Sequence, residues 1–227
     1  MSKPRIGIIG TISAGKTTLI SRVAEQTGIY HSREDARDLY EEFTKDPTWD
    51  REDPNNQFQF QTKIYSSRIY REMNHYYTGF IADRTYLDDF MYFLYYCHKI
   101  TDKEMCQKFE RMAVEGMKNY THLFIVKLDS IPFVNDTIRT DTYSAALFFE
   151  TSIEGLCKRW NLNVCHISMS NLDNRINYVI KTTGLKTKPK EKPTKFTIDE
   201  MRRKVILSSR SFNSIYLSEE RKRNFPS

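Results

Sequence analysis

The 227-residue sequence predicts an α/β fold: a three-layer sandwich with a five-stranded parallel sheet between helices, followed by a basic C-terminal extension. Three observations predict it. Gly10-Thr11-Ile12-Ser13-Ala14-Gly15-Lys16-Thr17 fits G-x-x-x-x-G-K-[ST] at every fixed position and stands between the apolar run Arg5–Ile9 and a helical pattern. Short apolar runs then alternate with helical patterns until five strand–helix units are complete, the order from which right-handed crossovers build a parallel sheet. Finally, the net charge of +6 is uneven. Residues 186–227 hold twelve Lys/Arg against five Asp/Glu, which leaves about −1 for the first 185 residues and divides the chain into a domain (1–185) and a basic linker and tail (186–227).

The glycine motif reads as a phosphate-binding P-loop. Its glycines let backbone N–H groups wrap a β-phosphate, Lys16 reaches the β/γ oxygens, and the Thr17 hydroxyl is a Mg²⁺ ligand. A helix begins at once, because Leu19, Ile20, Val23 and Ala24 fall on one stripe.

Residues 28–32 predict a second strand that delivers Glu34 to its C-terminal end, where open α/β sheets place their chemistry. Glu34 is there either the general base that takes a proton from an attacking hydroxyl or a cap for the helix over 35–44. Residues 46–54, with Pro47, Trp49 and Pro54, predict a loop beside the site that Trp49 either pins or lends to base stacking. A long helix over 55–76 carries Gln59 and Gln61, which suit a nucleobase edge or plain solvent. Residues 79–83 predict strand three, ending in Asp83, the acid that holds Mg²⁺ through its water shell or caps the next helix. Arg84 follows, a fixed charge for an acceptor or for the transferring phosphoryl group. The helix over 86–97 is aromatic all round and reads as core. A helix over 102–119, a doubly buried strand over 122–128, a loop over 129–141 with Arg139, a helix over 142–160, a strand over 163–167 and a helix over 171–182 complete the domain. Arg139 is either a solvated loop residue or a charge that closes over the phosphates.

Cys97, Cys106, Cys157 and Cys165 show neither CxxC pairing nor metal-ligand spacing, and read as buried thiols of a reducing compartment. No apolar signal region opens the chain and no run reaches the ~18 apolar residues of a membrane span, so a soluble, cytoplasmic protein with no membrane partner is expected. Beyond Thr183 a Lys- and Pro-rich linker leads to a helical pattern in which Thr197 and Glu200 have capping-box spacing. That tail suits docking on the core, a homodimer contact, or binding of DNA through phosphate contacts.

These motifs together resemble the P-loop nucleoside and nucleotide kinases, and more closely the group similar to the ribosylnicotinamide-kinase domain of the bacterial NadR protein, which has many phage members. The resemblance covers about residues 4–182 and rests on Gly10 to Thr18, Glu34-Asp35-Ala36-Arg37, Phe58-Gln59-Phe60-Gln61, Asp83-Arg84-Thr85 and Asn135-Asp136-Thr137-Ile138-Arg139. It implies the P-loop NTPase sandwich with sheet order 2-3-1-4-5, and ATP and Mg²⁺ held by Gly10, Ser13, Ala14, Gly15, Lys16, Thr17, Thr18 and Asp83. It also implies an acceptor pocket served by Arg37, Gln59, Gln61 and Arg84, and phosphoryl transfer assisted by Glu34, Lys16, Arg84 and Arg139. The group's lid has a glycine where Thr137 stands. Phage enzymes that phosphorylate the hydroxymethyl group of 5-hydroxymethyluracil in DNA look like this group, and a DNA acceptor would use the basic tail, with Tyr30, Trp49, Tyr65 and Tyr70 as stacking faces. A switch that hydrolyses ATP without an acceptor is the reading from a different class. No Asn-Lys-x-Asp guanine signature is present, which disfavours a GTPase.

Overall fold

The computed structural model describes residues 3–33, 36–128 and 142–189, the Arg37 side chain excepted. Glu34, the 129–141 segment with Arg139, and the tail pattern around Thr197 lie outside the described residues. Five strands, β1 (Arg5–Ile9), β2 (Tyr30–Ser32), β3 (Phe80–Asp83), β4 (His122–Val126) and β5 (Cys165–Ile167), form one sheet in the order β2-β3-β1-β4-β5. All four pairings are parallel. The helices are α1 (Lys16–Thr27), α2 (Ala36–Phe43), α3 (Pro54–Asn74), α4 (Tyr86–Cys97), α5 (Lys103–Met117), α6 (Tyr143–Arg159) and α7 (Leu172–Thr183). The compact unit that contains them ends at Lys188.

The strands read as continuous apolar runs because both faces of the sheet are covered. Successive residues alternate between faces. Ile6, Ile8, Phe124 and Val126 therefore join Leu19, Ile20 and Val23 of α1 and Ile176 and Val179 of α7. Ile9, Leu123 and Ile125 join the larger aromatic core of α4, α5 and α6, which contains Phe93, Phe109 and Phe149. Phe93 and Phe109 stack with ring centres 4.2 Å apart. This aromatic wall is what the α4 sequence predicts.

Side-chain caps set several helix starts. Asp53 accepts from the Asn55 N–H, Asp102 from Met105, Thr142 from Ala145 and Asn171 from Asn174. The second strand is shorter than the predicted 28–32 because Gly28, at φ 76°, still caps α1 through an N–H bond to the Ala24 carbonyl.

A small satellite core of Leu39, Phe60 and Ile64 fastens α2 to α3. Trp49 closes it, its ring 5.4 Å from Tyr40 and 6.1 Å from Phe60, so the tryptophan pins its own loop. Trp49→Ala is expected to lower stability by about 2 kcal/mol, below the full cost of a buried Trp because the ring is partly exposed; a chemical denaturation midpoint measures it.

The reading of four buried cysteines needs correction. Cys97 and Cys157 are buried, but Cys106 and Cys165 are partly exposed. Burial pushes the Cys97 thiol up to about 11 and Cys157 to about 12. Alkylation with iodoacetamide at pH 7.5 is accordingly expected to mark Cys106 and Cys165 first, with Cys97 and Cys157 following only on unfolding, as read by peptide mass spectrometry.

Candidate functional site

The order of the sheet places the site. β1 is flanked by β3 and β4, and the connections leaving β1 and β4 depart to opposite sides, which opens a crevice at their C-terminal ends. The P-loop fills it. Gly10 must be glycine, since a Cβ there would lie 2.8 Å from the Val126 carbonyl oxygen at the end of β4. Gly15 is the N-cap of α1 at φ 78°, and Ser13 also holds a positive φ of 61°. Two left-handed residues in six turn the chain sharply enough to send α1 back beneath the loop.

Lys16 is buried and its Nζ donates to the Thr11 carbonyl oxygen at 2.6 Å, so its ammonium is held at the loop. Thr17 Oγ1 donates to Asp83 Oδ2 at 2.5 Å. The register explains that meeting: Asp83 is paired with Ile8 beside the P-loop strand, and Thr17 lies in the first turn of the helix that follows. The other carboxylate oxygen, Asp83 Oδ1, is buried without a hydrogen-bond partner. A hydroxyl and an unsatisfied carboxylate oxygen are hard donors, the set a magnesium ion or its water shell requires, so these residues fit the implied metal. Ser13, Ala14 and Gly15 lie within the loop, and Thr18 is exposed on α1.

Arg84 extends from the end of β3 with φ 68°, a left-handed backbone at a non-glycine residue. Three contacts hold it there. Its N–H donates to the Ile8 carbonyl at 3.1 Å, its carbonyl accepts from Arg68 Nη1 at 2.8 Å, and its guanidinium carbon lies 4.4 Å from the centre of the Tyr92 ring. Arg68 on α3 is fully buried and forms a fork with Asp89 of α4, at 2.7 and 3.0 Å, with Glu72 one helical turn away at 3.6 Å. Tyr120 donates to Glu72 Oε1 at 2.7 Å. Burial raises the Glu72 pKa, against the pull of Arg68 and the Tyr120 hydroxyl. Asp88, the capping-box partner of Thr85, is also buried, and its pKa is raised by desolvation with Arg84 and Lys16 opposing. Sequence pattern alone marks none of Arg68, Glu72, Asp88 or Asp89 as a site residue. Only Asp88 had a local signal, its three-residue spacing from Thr85.

The α3 glutamines fall differently from the expectation. Gln59 is exposed and Gln61 buried, because residues two apart on a helix point about 200° apart. The buried pair is Gln57 and Gln61, four apart, with Gln61 Nε2 donating to Gln57 Oε1 at 3.4 Å and Gln57 Nε2 to the Arg51 carbonyl at 2.9 Å. The four-residue spacing of Gln57 and Gln61 is the sequence signal for that pair. Gln57 also lines an open cleft of about 820 Å³ between the loop before α3, α4 and α6, with Met91, Tyr95, Tyr96 and Phe148 among its walls. Of the four proposed stacking faces, Tyr65 is buried against Tyr86 and Phe109, Trp49 is taken up by its own loop, and Tyr30 stacks on His75 at 3.4 Å. Tyr30 moreover sits opposite Phe80 at the start of β3, the end of the sheet remote from the P-loop.

Comparison with curated protein sequences finds no match. Among solved structures, deoxyadenosine kinase from M. mycoides with bound dATP has the same fold, with a TM-score of 0.58 and 15% identity over 79% of this chain and 99% of that one. The NadR protein in complex with NR gives 0.58 at 18% identity over 84% of this chain, and its complex with NAD and AMP-PNP gives 0.55 at 19% over the same share. The chain spans about half the length of those NadR chains, 54% and 52%. No helix among the described residues is long and apolar enough to cross a membrane. A family model described as an AAA domain matches residues 5–175, P-loop, Asp83 and α6 included, and the chain therefore belongs to the AAA domain family, with the fold that it shares with those two proteins.

Proposed function

We propose that the protein is an ATP- and Mg²⁺-dependent kinase that transfers the γ-phosphate to a hydroxyl, or a phosphate, of a nucleoside- or nucleotide-type acceptor. The observation that carries this reading is the convergence of Lys16, the Thr17–Asp83 pair at 2.5 Å and the buried Arg84 at adjoining ends of β1 and β3. The buried, mutually bonded Gln57 and Gln61 of α3 supply the polar groups for the acceptor in this reading. The likeness to structures named as deoxyadenosine kinase and as NadR with NR supports the acceptor class.

In this reading the loop amides and Lys16 bind the β- and γ-phosphates, and Thr17 and Asp83 hold magnesium. Magnesium held by Thr17 and Asp83 would supply positive charge to offset the negative charge of the transferring phosphates. Arg84, braced from its backbone and its ring contact, orients the acceptor or the transferring group without a reorganisation cost at the moment of reaction. Glu34 takes the acceptor proton, Arg37 contacts the acceptor, and Arg139 closes over the phosphates. Glu34→Gln is expected to lower transfer by ~10²-fold or more while leaving ATP affinity unchanged.

The +7 surplus beyond residue 185 favours one second reading, a hydroxymethylpyrimidine base in DNA as acceptor. Transfer from γ-labelled ATP to nucleosides, nucleoside monophosphates, nicotinamide riboside, plain DNA and DNA carrying 5-hydroxymethyluracil separates the two. Label on a free acceptor establishes a small-molecule kinase. Label on modified DNA alone, weakening steeply with salt, establishes the second. ATP hydrolysis with no labelled acceptor overturns both in favour of a nucleotide switch.

A further inference from the structure

Arg175, on the first turn of α7, is 2% exposed and lies behind the P-loop. Its Nε donates to the Met169 carbonyl at 2.5 Å and its Nη1 to the Ala14 carbonyl at 3.3 Å, across 161 residues. Its Nη2 is buried with no hydrogen-bond partner, and no carboxylate pairs with it among the described residues. Arg68, the other fully buried arginine, shows the contrast, since two carboxylates compensate it. A buried guanidinium held by neutral carbonyls gains hydrogen bonds but no countercharge to offset the rest of its desolvation. Burial accordingly lowers its pKa, with no charged group acting to raise it.

The direction of its bonds says what the charge is for. A trans peptide points its C=O and N–H to opposite sides, and among the described residues no peptide bond is cis. The Ala14 carbonyl is turned towards α7 and Arg175, so the Gly15 N–H points away from α7. A cation bonded to the carbonyl oxygen draws electron density along the peptide and makes that N–H a stronger donor. The same side chain ties the loop after β5, through Met169, to the P-loop.

We propose that Arg175 is a positioning residue for the nucleotide: it fixes and polarises the Ala14–Gly15 peptide so that the Gly15 N–H binds a phosphate oxygen, and the anion so bound supplies the countercharge the guanidinium lacks. Arg175 itself does not touch the phosphate. The proposal rests on phosphate binding at the P-loop but on no particular acceptor, so it stands or falls separately from the kinase reading.

The test uses the full chain with ADP as the probe. Arg175→Met is expected to weaken ADP binding about tenfold or more by calorimetry, and Arg175→Lys, which keeps the charge and one donor, to recover part of the loss. In nitrogen–proton spectra the Gly15 amide is expected to move downfield on ADP addition in the parent chain and to lose most of that movement in Arg175→Met. A role confined to holding α7 would lower the melting temperature but leave both readouts in place. ADP affinity within twofold of the parent, or an undiminished Gly15 shift, overturns the proposal. Should Arg175→Met fail to fold, Arg175→Lys decides by the same two measurements, an unchanged affinity and shift again overturning it.

Discussion

Arg68→Met is expected to be among the most destabilising substitutions in the protein, at about 3–5 kcal/mol, read as a fall in the denaturation midpoint. The side chain is fully buried, and its removal leaves the Asp89 carboxylate without its fork and Glu72 without its cation. Glu72→Gln provides the control. Burial already raises the Glu72 pKa, and a glutamine oxygen can still accept from Tyr120, so this change is expected to cost no more than about 1 kcal/mol. Asp89→Asn, which halves the charge balance of the fork, is expected to lie between them. Arg68 also holds the carbonyl of Arg84 in a left-handed backbone that an arginine does not adopt by preference. Arg68→Lys, the milder variant, is therefore expected to lower phosphoryl transfer more than its stability loss explains, with ATP affinity unchanged. Equal, proportionate losses in the two measurements would show that the fork serves folding alone.

The largest effect on chemistry is expected at Lys16. Lys16→Met should remove phosphoryl transfer by ~10³-fold or more, since the ammonium is the fixed charge held at the loop where the β- and γ-phosphates would lie. Stability should fall as well, because Lys16 is among the cations that compensate the buried Asp88 carboxylate, so transfer is compared at matched folded fraction. Asp83→Asn separates the metal role from the loop. Thr17 keeps a hydrogen-bond partner in that variant, but the unsatisfied, buried Oδ1 that fits the ion's shell loses its charge. The expected result is a loss of transfer that partly recovers at higher magnesium concentration. A loss independent of magnesium would place Asp83 in the structural frame of β3 instead.

The parts of this site that the sequence declares are those built by near neighbours along the chain. The P-loop is one turn between a strand and a helix, so its glycine spacing, its lysine and its threonine are fixed by eight consecutive residues. The caps at Asp53, Asp102, Thr142 and Asn171 are likewise legible, because each side chain bonds an N–H two or three residues away. Asp83 could be picked out as an acid ending an apolar run. The glutamines mark the limit of such reading: Gln59 and Gln61 are neighbours in sequence, but helical rotation buries Gln61 with Gln57 and exposes Gln59.

The sequence by itself determined the strand–helix alternation, the phosphate loop, the two-sided burial of the sheet and the charge division near residue 185. These follow from local periodicity, glycine conformation and composition, which need no knowledge of what packs on what. Only the tertiary structure decided that Arg68 meets Asp89 across 21 residues to brace Arg84, that Arg175 reaches back 161 residues to the carbonyl of Ala14, and that Tyr65 and Trp49 are filled into cores rather than offered to a base. A buried ion pair or an unpaired buried arginine carries no local signature. An arginine on a helix reads the same in sequence whether solvent or a carboxylate satisfies it, and the packing of α3, α4 and α7 onto the two faces of the sheet makes the choice.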